Sequence, residues 1–441
     1  MKKIWSILLI LVLVAAVASA AAEVKVVNGL EERNIAVQPA GENQVDRNIS
    51  PTTGRDLDDL ADTDLPEGFL GMAATGKYYP VMVQHCGYAA ATGDAAPLYG
   101  SYADVYYEMA KSKPGHARMG ILYNDYHPTW VGASRSMRVG YIWIRQEWNA
   151  PYIYAGYQTD DSGNKYNTDV NKTARSLGLV TPENPEPPLE ERVLFNALNG
   201  GTRAWLNAVH RIKGKGMSGK SMTDNHNLVW KLTYLDQNVF NKDLQFPNHT
   251  WKFTDSLPEG GDEAQTVYIR FNKNANKSGG EEDGSYYFNS FLEYDADENV
   301  YYRYAIRDGQ NPQNKAILFQ EQIPSNVQGV NGKDSDYRIS CTLSLGNAIT
   351  FANVIVQGVH MEWPNGDETP YPFMTGTGTA DYFMGGKHYT GVWKRDTYDD
   401  RTVFYGEDGE EISMQRGRTL IVVMDYNTTY KGDYIREVSY E

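Results

Sequence analysis

The second half of this chain alternates. TVYIRF (266–271), SYYFNSFLEYD (285–295) and NVYYRYA (299–305) set β-branched or aromatic residues at every other position, and Asp295–Asn299 offers a turn between the last two. A period of two buries one face of a strand and cannot be satisfied by a helix. ITFANVIVQGV (349–359), ADYFMGGKHYTGVWKR (380–395), TVFYGEDGEEI (402–412) and RTLIVVMDY (418–426) continue the texture at hairpin spacing. Gly385-Gly386 between Met384 and Lys387 suits a two-residue primed turn, because glycine accepts positive φ without a steric penalty. These features predict a mostly antiparallel β domain over 262–430, after a linker at 246–261.

The first half is mixed. KYYPVMVQ (77–84), ADVYYEMA (103–110) and ARMGILYN (117–124) read as short buried strands, and VGYIWIRQEW (139–148) fits either helix or strand. Asn184–Pro188 breaks the chain. Beyond it Leu189, Val193, Leu194 and Leu198 show helical spacing, stopped by Gly200-Gly201. An N-terminal mixed α/β domain is expected over 66–245. The fold class expected for the whole chain is therefore α+β, a mixed domain followed by a mostly antiparallel β domain.

The start of the chain, MKKIWSILLILVLVAAVASAAAE, has two lysines, an apolar run and the small-residue pattern Ala18-Ser19-Ala20. That is the layout of a secretory signal over 1–20, which implies an exported protein at the cell envelope or outside the cell. Contact with a membrane is expected only through this segment, if it stays uncleaved. Residues 21–65 are polar and acidic without periodicity and read as a disordered tether. Removing 1–20 takes away Lys2 and Lys3 and moves the net charge from −15 to −17. Such a surface repels nucleic acid, so none is expected as a partner. Cys86 and Cys341 are the two cysteines, too far apart in sequence for a pairing to be assigned.

The chemistry-bearing residues concentrate in the first half. Arg135 and Arg138 lie in GASRSMR (132–138), next to Ser134 and Ser136, at the start of the apolar run 139–148. If either serine caps a helix there, the two cations sit at its positive end and oppose the dipole unless an anion compensates. Guanidinium forks beside free N–H groups suit a phosphate or carboxylate. The alternative is that Glu108 or Asp104 neutralises them internally. Glu108 and Arg118, at facing strand ends, could likewise pair with each other. His226 in TDNHNL (223–228) follows Asp224 and precedes Asn227; it reads either as a proton shuttle or as a loop-holding histidine. Gly214–Gly219 matches G-x-G-x-x-G literally but follows no clear strand, so it reads as a basic loop. Two cysteines and no H-x-x-x-H pair exclude a zinc cage, and no cofactor or metal is expected. The tyrosines and Trp393 of 380–395 either cover a thin core or stack on sugars.

These segments together resemble the exported YerB-like lipoprotein family of unknown function, DUF3048-like, which has an N-terminal and a C-terminal module. Gly132, Arg135, Ser136 and Arg138 match the family's Gly-Pro-x-Arg-Ser-x-Arg, with Ala133 at the proline position. Tyr107 and Glu108 match its strand end, Arg118 its following arginine, and His226, Asn227 and Leu228 its His-Asn-Leu. Gln84-His85-Cys86 departs from the family's Asn-His-Pro, and the lipobox cysteine is missing. The resemblance implies an envelope location and two modules; it brings no reaction with it. The expected ligand set is Glu108, Arg118, Arg135, Arg138, His226 and Asn227. They would bind an anionic or glycan ligand, or serve a cell-wall synthesis partner. A hydrolase or transferase on wall polymer, with His226 as base and Arg135 and Arg138 stabilising an anion, is the second reading.

Overall fold

The computed structural model describes residues 23–27, 33–38, 46–61, 64–86, 96–111, 117–179, 192–199, 207–212, 228–240, 243–247, 249–257, 259–274, 289–306, 316–329, 338–364, 369–426, 429–430 and 434–441. The protein is mostly β. Its centre is a sheet of eleven described strands that draws on both halves of the chain. The strand Thr419–Asp425 runs parallel to Asn353–Val359 on one side and to Val105–Ala110 on the other. The order then continues through Ala117–Tyr123, Val81–Cys86, Tyr152–Tyr154 and Leu194–Asn196. All seven residues of Thr419–Asp425 are buried, as a strand covered on both faces requires.

This shared sheet departs from the expected division into two domains. The expected linker 246–261 instead carries the strand Lys252–Thr254, parallel to Ser413–Gln415, and its Trp251 is buried. One face of the central sheet packs against an eight-stranded sheet through Tyr106, Ile121, Val354, Leu420, Val267, Ile269 and Tyr301. The other face carries Met82, Met109, Leu122 and Ile421, covered by the helix Val139–Trp148. Nine of that helix's ten residues are buried, which explains why its sequence shows no clean amphipathic period.

The hairpin Gly376–Met384/Lys387–Arg395 forms with Gly385 and Gly386 both at positive φ, 57° and 72°. Trp393 is buried and its indole donates to Gly358 O at 2.7 Å, so it packs the core. Leu194–Asn196, expected in a helix, is instead a fully buried strand that extends the sheet beside Tyr152–Tyr154. There Leu194 and Phe195 gain cover on both faces.

The expectation of a disordered tether over 21–65 is corrected at its described residues, 23–27, 33–38, 46–61 and 64–65. Lys25–Val26 pairs with Tyr440 and Ser439. Arg33 donates to both oxygens of Asp381 and to the Ala380 and Gly391 carbonyls. Ser50, Thr52 and Thr53 are buried, and their hydroxyls bond the buried carboxylates of Asp104 and Asp125. At Ser50, Thr52 and Thr53 the polar groups meet buried acids rather than water.

Candidate functional site

Strand register decides which candidates can meet. Val81–Cys86 pairs antiparallel with Ala117–Tyr123 so that Cys86 faces Arg118 and Gln84 faces Gly120. Val105–Ala110 pairs with the same strand so that Met109 faces Arg118 and Glu108 faces Met119. Residues directly opposite share a face and neighbours alternate. Cys86, Arg118 and Met109 therefore lie toward the helix, and Glu108 lies on the opposite face.

The expected Glu108–Arg118 pair is thereby excluded. Glu108 instead bonds Arg303 at 2.7 Å, with both side chains fully buried, and Arg303 also donates to Ser290 Oγ. Burial raises the Glu108 pKa, and the Arg303 charge opposes that rise. Asp104, the other expected counter-ion, is occupied by Thr52 Oγ1 and the backbone N–H groups of Asn124 and Asp125.

The three arginines do come together. The segment Ala133–Met137 is stitched to its neighbours by backbone bonds. Arg135 N donates to Gln84 O, Arg135 O accepts from Ala155 N, and Ser134 N donates to Leu228 O, each at 2.9 Å. The helix cap is Arg138 itself, in extended conformation, rather than Ser134 or Ser136. Arg138 curls back so that Nη1 donates to the carbonyls of Ser136 and Met137 at 3.1 and 3.0 Å. Its charge and that of Arg135 reach Arg118. Burial foremost, then Arg138 and Arg135, push the Arg118 guanidinium down to about 9. Arg118 makes no ion pair with a carboxylate among the described residues, and its Nη1 donates a long bond, 3.4 Å, to Ala117 O. Its Nε is buried without a hydrogen-bond partner, as is Ser134 Oγ.

Cys86 lies on the same face. Its Sγ is 3.8 Å from His85 Nδ1, which in turn is 2.7 Å from Cys86 O. Burial disfavours the thiolate, yet His85, Arg135 and Arg118 overcome it and bring the thiol to about 7. The sequence alone does not show this: the two cysteines look equivalent, and only the strand register places Cys86 opposite Arg118. Cys341 goes the other way, raised by burial to about 11, and neither cysteine is in a disulfide. His226, Asn227 and the Gly214–Gly219 loop lie outside the described residues. Among the described residues no cluster of three or more His, Cys, Asp or Glu could hold a metal, and no helix is long and apolar enough to cross a membrane.

A mixed central sheet, with a helix rising from an arginine-rich loop at one strand end, is the class of scaffold that the fold and site define. Residues 90–178 match the family model described as protein of unknown function (DUF3048), N-terminal domain, and residues 283–421 match its C-terminal domain. The two together span just over half of the chain, and the chain belongs to that family. The crystal structure of the YerB protein from Bacillus subtilis is similar, with a TM-score of 0.54 at 14% identity. The likeness covers 85% of this chain and 96% of that one, and it is a likeness of fold. No curated protein matches the chain.

Proposed function

We propose that this is an exported envelope protein that binds an oxyanion at the Arg118–Arg135–Arg138 cluster. The phosphate or carboxylate would be carried on a cell-wall polymer or on a synthesis partner. The supporting observation is the convergence of three guanidinium groups from two chain segments at the start of the helix Val139–Trp148, where burial first and then the charges of Arg138 and Arg135 depress Arg118 to about 9. Gathering like charges in a buried place is unfavourable by itself, and an oxyanion reverses the sign of that interaction. Guanidinium forks bind such oxyanions bidentately, and the helix start adds a favourable dipole.

A hydrolase or transferase with His226 as base also requires an acid such as Glu108 in one pocket with Arg135 and Arg138. Glu108 faces the opposite side of the sheet and is bonded to Arg303, so that arrangement does not form.

The test is calorimetric titration of the purified protein with phosphate, sulfate and acetate, beside the double variant Arg135→Ala/Arg138→Ala. The proposal expects saturable binding that the folded double variant loses. Equal heats from both proteins would refute it.

A further inference from the structure

A cleft of about 500 Å³ opens at the far end of the helix Val139–Trp148 from the arginine cluster. Arg138 caps the helix start, and Glu147, Trp148 and Asn149 line the cleft at its end. Ten residues at 1.5 Å rise put the two places about 15 Å apart along the axis. Pro247 and His249 bring one wall and Lys394–Arg401 the other.

Arg401 stands in this wall. The residue is 6% exposed, and its guanidinium lies 3.3 Å from the centre of the Trp148 ring. Its three nitrogens are all buried and lack an acceptor in good hydrogen-bond geometry, the Tyr78 phenol approaching their edge. It forms no ion pair with a carboxylate among the described residues. The nearby acid is already committed: Glu147 Oε1 accepts from Thr402 N at 3.0 Å, and Oε2 lies 3.6 Å from Arg395 Nη1. The Tyr78 phenol sits beside Arg401 and feels its charge, while its own bond to Trp148 O is long at 3.5 Å. Stacking on an indole satisfies the face of a guanidinium and leaves its edge of donors free. A buried donor set left without acceptors is costly, and it marks a place where an acceptor belongs.

We propose that the Arg401 cleft binds a small monocarboxylate carried on an aromatic or apolar body, with the carboxylate on the Arg401 donors. The planar fork matches a carboxylate bidentately. Tyr78, Phe246 and Tyr405 supply the apolar walls. Asp396, Asp399 and Asp400 at the cleft repel a second negative charge, which disfavours phosphate. The site stands independently of the Arg118 cluster. Binding requires the Tyr78 phenol to yield its place beside Arg401, for which its weak bond to Trp148 O is suited.

The test uses the full protein and benzoate as probe, with benzamide as an uncharged body of the same shape, read by calorimetry. Benzoate is expected to bind saturably and at least tenfold more tightly than benzamide. All titrations are made in the Arg135→Ala/Arg138→Ala background, which removes the carboxylate site proposed at the helix start; there Arg401→Lys should weaken benzoate at least tenfold and Phe246→Ala at least threefold. Should Arg401→Lys fail to fold, the benzamide comparison and Phe246→Ala still decide. No benzoate binding, equal binding of benzamide, or displacement of benzoate by inorganic phosphate would each overturn the proposal.

Discussion

Replacing Arg118 by methionine should stabilise the ligand-free protein, which is unusual for loss of a buried side chain. The charged guanidinium is pushed from its ordinary range to about 9. That displacement corresponds to roughly 5 kcal/mol against the charged form at neutral pH. Methionine keeps most of the volume and removes the charge. Lost packing and the long bond to Ala117 O return about 2 kcal/mol of this. A net gain of about 1–3 kcal/mol is expected in urea unfolding at pH 7. Below about 9 both folded and unfolded chains carry the Arg118 proton, so the full cost is present. Above it the unfolded chain alone holds the proton, and wild-type stability gains on the variant as pH rises. The advantage of Arg118→Met should therefore shrink from pH 8 to pH 10. Phosphate at a hundredfold its Kd would add about 2.7 kcal/mol to the wild type and nothing comparable to the variant. A variant less stable by 3 kcal/mol or more, with an undiminished phosphate effect, would show that the arginines brace the fold.

Other consequences follow from the same geometry. Glu108→Gln leaves Arg303 buried without its counter-charge and should cost about 3–5 kcal/mol, read as a lowered urea midpoint; a loss under about 1 kcal/mol would contradict the pairing. Cys86, at about 7, should ionise well below Cys341, at about 11, as thiolate absorbance of the folded Cys341→Ser and Cys86→Ser variants against pH would show; the reverse order would contradict the field of His85, Arg135 and Arg118 at Cys86. Thr53→Ala, which strips one hydroxyl from buried Asp125, should lower stability by about 1–3 kcal/mol, whereas no change would restore the tether reading of residues 21–65.

What the sequence made legible was local. The Gly385-Gly386 turn and the strands on either side of it follow from turn chemistry and alternation within sixteen residues. The strands at 81–86, 105–110 and 117–123 were visible as short apolar runs. The pairing of Thr419–Asp425 with Val105–Ala110 joins segments some three hundred residues apart, and no local pattern encodes it. A hint was present, since LIVVM is continuously apolar, as a strand buried on both faces must be. Residues 46–55 misled because a hydroxyl-rich segment has the same composition whether it meets water or buried carboxylates. At the proposed site, the spacing of Arg135 and Arg138 singled out the loop whose charges reach Arg118. The partner of Arg118 turned on strand parity, where a one-residue difference in register moves Glu108 to the other face. Arg401 carried no sequence signal, because nothing in RDTYDDR indicates that one arginine stacks on Trp148.

The central claim is tested most directly by crystals grown with selenate, a phosphate-like oxyanion located by its anomalous signal. The account predicts a selenium peak within reach of at least two of the Arg118, Arg135 and Arg138 guanidinium groups. A fully occupied lattice with selenate elsewhere and none at this cluster would contradict it.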